Sequence, residues 1–276
     1  MCPNCRAFIN SDDKVCPYCE VKLGPPAVER RSPSDALGGL IPQARFTTTV
    51  ILLLNFGLYV ATTLYSMKGS SGMVFDIDGQ TLFAFGAKEP FSILRGGQWW
   101  RLVTAGFLHG GILHILMNSW VLFDLGAQVE EVYGTARFLV FYFVATVAGF
   151  FASTMFSSSL SIGASAGIFG LIGAMIALGV RHRHTAMGAS VRSHYVQWAI
   201  FGVVMGLLPG FRVDNAAHLG GLAGGFLVAY LANTPPAFDA WQEKVWRALA
   251  AICVLLTAVS FVLMFLNFAG SYRNVL

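Results

Sequence analysis

Apolar residues run almost without charge through seven stretches, at about 46–65, 107–126, 136–156, 164–180, 195–208, 215–232 and 245–268. A helix of about 20 such residues is long enough to cross the hydrocarbon layer of a membrane. Only segments that satisfy their own backbone hydrogen bonds persist there. The chain is therefore expected to be an all-α polytopic membrane protein, because the alternating pattern of a membrane β-barrel is absent. Composition agrees, with 55% hydrophobic and 12% charged residues, where a soluble domain carries about 25% charged. The net charge of +4 is modest and its basic residues sit at helix ends. That distribution reads as a topology signal and excludes a nucleic-acid-binding surface.

The first 22 residues break the apolar pattern. Cys2, Cys5, Cys16 and Cys19 form C-x2-C-x10-C-x2-C, a spacing that fits tetrahedral zinc–thiolate coordination. Two disulfides or incidental thiols are the alternatives, but adjacent C-x2-C bridges are strained and a cytosolic end keeps thiols reduced. The two pairs resemble a small zinc ribbon, with Arg6 and Glu20 where such ribbons often place glycine. A site with all four positions filled is structural, so no cofactor for catalysis is expected from it. The isolated Cys253 reads as a small buried apolar side chain.

The expected organisation is a zinc ribbon at 1–22, a flexible cytosolic linker at 23–45, a six-helix core at 46–232 and an additional seventh helix at 245–268. Gly24-Pro25-Pro26 and Gly38-Gly39 mark the linker. Residues 66–105, rich in aromatics but broken by glycine, are expected to lie partly in the headgroup layer. Glu130 to Gly134 reads as a short turn. With an N-terminus inside, twelve of the 18 Lys and Arg residues face the cytosol, which places the C-terminus outside. The lack of a cleavable signal pattern or transit peptide, with the compact size, points to a bacterial inner membrane.

Against this apolar background a few polar residues need a reason. Ser165 opens the fourth apolar segment within Gly163-Ala164-Ser165, where unpaired N–H groups and the positive end of the helix dipole favour an oxyanion. Gly163 removes a side chain where a substrate backbone would approach. The bland alternative for Ser165 is a cap or packing serine. His218 stands at a matching depth in the sixth segment, on a run where Ala217, Gly221 and Gly225 recur every four residues. Such a stripe lets helices approach closely, and the fourth segment has its own in Gly163, Gly167, Gly170 and Gly173. Contact between them would bring an imidazole to the serine hydroxyl as its base. No acidic residue is in place to orient the ring, so the pair would be a dyad. His114 and Asn118 share one face of the second segment and could donate to an oxyanion with the Ser165 N–H, or could simply join helices. His109 reads as structural. A catalytic metal on His109, His114 and His218 finds no H-E-x-x-H pattern or carboxylate to support it.

Taken together, Trp100-Arg101, His109, His114-x-x-x-Asn118, Gly163-Ala164-Ser165 and Ala217-His218-x-x-Gly221 resemble the rhomboid intramembrane proteases, in the family's order over about 46–232. Glu130, Gly134 and Arg137 resemble the family's turn after its second span. The resemblance implies a six-helix core around a water-filled outer cavity. It implies Ser165 as nucleophile, His218 as general base, and His114 and Asn118 as oxyanion donors. The loop carrying Trp100-Arg101 would be the family's membrane-embedded flank. Two positions depart from the pattern: Ala166 replaces the usual glycine after the serine, and Phe169 replaces a frequent tyrosine against the histidine ring. The implied activity is endoproteolysis of single-span membrane proteins within the bilayer. The alternatives are a rhomboid-like pseudoprotease that binds clients without cutting, and a small channel using its histidines as a relay. The zinc ribbon offers a surface for a cytosolic partner.

Overall fold

The computed structural model describes residues 15–21, 46–69, 76–208, 213–232, 234 and 240–273. The chain divides into two compact units, Met1–Gln43 and Ala44–Leu276. Cys2, Cys5 and the linker expected at 23–45 lie outside the described residues, and in the first unit the segment 15–21 is a tight turn.

The regular elements described in the second unit are all helices, with two isolated β-bridges between loops. Among the described residues there are seven long helices, α1 (Phe46–Gly69), α5 (Ile112–Tyr133), α6 (Thr135–Phe156), α7 (Ser165–Arg181), α8 (Ala186–Met205), α9 (Asn215–Leu231) and α10 (Ala240–Arg273). Three short helices, α2 (Gly79–Ala84), α3 (Pro90–Leu94) and α4 (Arg101–Thr104), fill the long connection between α1 and α5. Four of the long helices, at Phe46–Met67, Ile112–Tyr133, Thr135–Phe156 and Trp241–Gly270, are apolar and long enough to cross a membrane, while Ser165–Arg181 is a shorter apolar helix.

Several boundaries differ from the sequence reading. Residues 105–107 form a 3-10 turn and α5 begins only at Ile112, because Gly110-Gly111 interrupts the apolar run. Glu130 to Tyr133 is helical, and the turn falls on Gly134 alone, at φ +79°. Glu130 is buried there as an acceptor for Thr47 Oγ1 at 2.6 Å and Thr135 Oγ1 at 2.8 Å. The fifth long helix starts at Ala186 rather than Tyr195, capped by Thr185 Oγ1, which accepts from Gly188 N–H. Polar residues in its first turns hide the start from a hydropathy reading, yet they belong to the same helix.

Packing is closest where glycines meet backbone. A side chain on Gly225 would collide with the Gly170 carbonyl, and one on Gly221 with that of Ala166. A Cβ at Gly149 of α6 would stand 2.6 Å from Ala217 O and 2.7 Å from Ala166 Cβ. Three helices, α6, α7 and α9, thus meet through their smallest residues, which maximises contact where lipid supplies no hydrophobic drive for helix association. In water, so much glycine would weaken α7 and α9; in an apolar phase the backbone must close its own hydrogen bonds, so the helices persist.

The last helix is attached by charge. Arg137 of α6 is 1% exposed and pairs with Glu243 of α10 at 2.7 Å, with the Trp246 ring 5.3 Å from its guanidinium carbon. At the other end of α10, Phe261 meets Phe107 and Phe268 meets Phe85, ring centres 5.4 and 5.3 Å apart.

Replacing Gly225 with Leu is expected to lower stability by about 3 kcal/mol or more, through overpacking against a carbonyl that has nowhere to go. Gly57→Ala in α1, where a Cβ meets nothing within 4 Å, should change it by less than about 1 kcal/mol. Unfolding midpoints in detergent compare the two.

Candidate active site

Ser165 is the first residue of α7, His218 lies in the first turn of α9, and His114 lies in the first turn of α5. All three therefore stand where helices begin, at one end of the bundle. Two loops converge on that end. The segment before α7 pairs with the α1–α5 connection through a two-way backbone bridge, Lys88 N–H to Ser161 O at 2.9 Å and Ser161 N–H to Lys88 O at 3.1 Å. Gly163 N–H then donates to Ala105 O at 2.9 Å.

Gly163 sits at φ +122°, a conformation that L side chains rarely adopt. A Cβ there would lie 2.8 Å from His114 Nε2 and 3.7 Å from Ser165 Oγ, so hydroxyl and imidazole border the same small space. Ser165 is half-buried and opens its helix with no side-chain cap on Ala164. Its surroundings keep the free N–H groups and positive dipole of a helix start.

The His218 imidazole is 6% exposed and lies flat on the Phe169 ring, centres 3.9 Å apart and planes 16° from parallel. Phe169 is one helical turn beyond Ser165, so the ring is held against the α7 face that also carries the hydroxyl. Among the described residues His218 Nδ1 has no hydrogen-bond partner, and no hydrogen bond joins Ser165 Oγ to His218. Catalytic hydrogen bonds of this kind are often long without substrate.

His114 Nδ1 accepts from Gly110 N–H at 3.5 Å, which leaves Nε2, the nitrogen facing Gly163, as the proton-bearing donor. Asn118 donates through Nδ2 to its own helix at His114 O, 3.0 Å away. His109, 1% exposed, stands edge-on to His114 with ring centres 5.0 Å apart. It walls the histidine.

Trp100 and Arg101 build the loop instead. The buried Arg101 donates to Phe83 O and Ala87 O, each at 2.8 Å, and to Gln98 Oε1 at 2.6 Å. Its guanidinium carbon lies 4.2 Å from the Phe83 ring centre and 4.7 Å from that of Trp100. Burial pulls its pKa down to about 10, with Glu89 opposing, so the guanidinium stays charged at neutral pH. Gly221 serves the helix contact, its Cα facing the Ala166 carbonyl.

A family model described as the Rhomboid domain matches residues 96–234, the part of the chain that carries every one of these histidines and the serine. The chain belongs to the rhomboid family. The rhomboid protease GluP of Bacillus subtilis is 37% identical over 182 residues, 66% of this chain and 34% of that protein. RHOMBOID-like protein 7 of Arabidopsis thaliana is 35% identical over 165 residues, 59% of this chain and 52% of its own. Rhomboid-like protease 2 of Toxoplasma gondii is 34% identical over 213 residues, 75% of this chain and 74% of its own. The chain spans about a third to a half of the length of the first two relatives. This rhomboid is a multi-pass integral membrane protein, with its apolar helices passing through the bilayer.

Sequence reasoning assigned no role to two buried or half-buried charged residues near these side chains, Asp214 and Lys88. Asp214 caps α9, its Oδ1 accepting from Ala217 N–H at 3.0 Å, while Ser153 Oγ of α6 donates to Oδ2. An acid immediately before an apolar helical run is a cap signal that could have been read. Lys88 lies upstream of the matched segment in an irregular loop, and no local pattern betrays it.

Gly163→Ala is expected to force the His114 ring from its place and to slow labelling of Ser165 by an acylating probe by about tenfold or more, the scale of losing one oxyanion donor. The thermal midpoint should move only a few degrees, since the residue lies outside any helix. Unchanged labelling would show that His114 does not depend on that glycine.

Proposed function

We propose that this rhomboid is a serine endopeptidase that cuts transmembrane or membrane-adjacent segments of single-span membrane proteins. The observation that carries the reading is the His218 ring laid on Phe169, one turn from Ser165, where α7 and α9 meet through glycines. That stacking holds the imidazole on the α7 face that carries Ser165 one turn earlier, which supports the pairing.

In the proposed reaction, Ser165 Oγ attacks the scissile carbonyl carbon as its proton passes to His218. The carbonyl oxygen becomes an oxyanion, which the Ser165 N–H, His114 Nε2–H and Asn118 stabilise. For Asn118 this requires its amide to turn from the His114 carbonyl when substrate arrives. Collapse of the tetrahedral species breaks the C–N bond, and the imidazolium hands its proton to the leaving amine. Water then attacks the acyl-serine with His218 as base, releasing the acid and restoring the hydroxyl. An unpartnered Nδ1 fits a dyad, with the Phe169 ring in place of an orienting carboxylate. Gly163 leaves room for a substrate backbone, and small residues near the cut would suit that space. The N-terminal side is proposed to be cytosolic, with seven spans and a bacterial inner membrane as the setting.

A fluorophosphonate probe is expected to label the wild type and not Ser165→Ala. Cleavage of a single-span reporter in proteoliposomes should fall by a factor on the order of ten thousand in that variant. Equal labelling of both would end the protease reading. Ser165-independent binding of the reporter without cleavage would favour a pseudoprotease that retains clients.

The N-terminal unit is proposed to hold a structural zinc ion on Cys2, Cys5, Cys16 and Cys19, and to offer a surface to a cytosolic partner. In the described half, the chain folds back tightly around the cysteine pair, with Glu20 N–H donating to Cys16 O at 2.9 Å and Cys16 N–H to Val21 O at 3.0 Å. Glu20 takes the left-handed φ of +58°, at the position where ribbons often use glycine. Cys16 is fully buried while Val15 and Tyr18 beside it are exposed, which fits a thiolate turned inward to a ligand. Cys16→Ser should release one equivalent of zinc per chain, read by metal analysis. Retention of full zinc content would refute the tetrathiolate set.

A further inference from the structure

Two charged side chains outside the acyl-transfer set converge on the segments that carry it. Lys88 is fully buried, an arrangement that is costly for an ammonium unless it is well satisfied. Its Nζ donates to Ser157 O and Ser159 O, each at 2.9 Å, and its own backbone brackets Ser161 in both directions. One residue thereby holds the whole stretch from Ser157 to Ser161, which runs directly into Gly163 and Ser165.

The other is Asp214. Its backbone oxygen accepts from the His218 N–H at 3.0 Å, and its carboxylate caps Ala217 and takes the Ser153 hydroxyl. The start of α9, and with it the height of His218, is set from this residue. Burial raises the Asp214 carboxyl, but hydrogen bonds from Ser153, Ser161 and Ala217, with the Lys88 charge, outweigh it and hold the group below its usual value. Lys88 feels Asp214 in return, burial pulling its pKa down and the carboxylate pushing it back up. The two residues meet on Ser161 in the α6–α7 connection, whose backbone pairs with that of Lys88 and whose side chain bonds the Asp214 carboxylate.

We propose that Lys88 and Asp214 are positioning residues that hold the segment leading into Ser165 and the His218 helix in mutual register. Neither touches the reacting atoms. The ammonium ties down the approach to the nucleophile, the carboxylate ties down the helix of the base, and Ser161, bonded to both residues, links the two. The inference rests on the reading of Ser165 and His218 as a catalytic pair, and it adds a residue that lies outside the matched Rhomboid domain.

The test uses the full chain in proteoliposomes, with Lys88→Met, Asp214→Asn and the double variant. Turnover of a single-span reporter is measured alongside the rate of Ser165 labelling by a fluorophosphonate. Misplacement of reacting groups by about 1 Å costs on the order of a hundredfold. Each single variant is therefore expected to lose about ten- to a hundredfold in kcat and in labelling rate, with KM within about twofold. The double variant should lose no more than the worse single one, because residues acting as a unit are not additive. Lys88→Arg should recover part of the loss, as the charge and donors remain. Losses that multiply, a change confined to KM, or labelling at the wild-type rate would each overturn the proposal. Should Lys88→Met or Asp214→Asn fail to fold, Ser153→Ala, which removes only one donor to the carboxylate, takes their place. It is expected to cost about threefold or more in kcat, and wild-type kcat there would overturn the proposal too. A wild-type protein whose labelling does not depend on Ser165 is a different result, since it removes the catalytic pair itself.

Discussion

The contact between α7 and α9 is the constraint on which the other features of this rhomboid depend. Gly170 and Gly225 bring two helix backbones together so closely that a carbonyl occupies the place of a side chain. In lipid no hydrophobic force drives one apolar helix onto another, so close van der Waals contact between small residues must supply the association. Because both helices start at the same end of the bundle, the contact that joins them also sets Ser165 and His218 at one level. Phe169 then fills the gap beside the imidazole, where a smaller side chain would leave the ring without a flat support.

Around this apolar seam the buried charges have structural jobs, and each is answered by hydrogen bonds. Arg101 closes the α1–α5 connection on carbonyl oxygens and aromatic faces. Glu130 joins α1 and α6 to the end of α5 through two threonine hydroxyls. Arg137 attaches α10 through Glu243. An unanswered charge at these depths would cost several kcal/mol, so these groups specify which helix lies beside which, a task that interchangeable apolar side chains perform poorly. The α1–α5 connection packs like a small soluble fold, and its tie to the strand before α7 makes it part of the site rather than a linker.

Reading the chain without coordinates succeeds where the signal is local. The apolar runs mark most of the helices, the four-residue glycine spacing marks the faces of α7 and α9 that meet, and the motif around Ser165 and His218 carries the family. It falters where polar residues continue a helix, as in the first turns of α8, and where glycine breaks an apolar run, as before α5. Arg137 reads as a topology charge in the sequence, but its partner is more than a hundred residues away on α10. Nothing in the local pattern around Lys88 could announce that its amine would cap two carbonyl groups near Ser159.

By itself, then, the sequence determined the apolar helical class of this protein, the helix starts on which the hydroxyl and imidazoles stand, and the small faces available for contact. These follow from side-chain size and hydropathy at fixed helical spacing, which neighbours far along the chain do not alter. Only the tertiary structure decided that Arg101 closes the loop on the Phe83 and Ala87 carbonyls, that Asn118 rests on its own helix, that the Lys88 amine caps the Ser157 and Ser159 carbonyls, and that Asp214 joins α9 to Ser153 of α6. Those roles depend on which carbonyl, ring or carboxylate happens to lie within about 3–4 Å, a distance set by the packing of remote segments and written in no short stretch of residues.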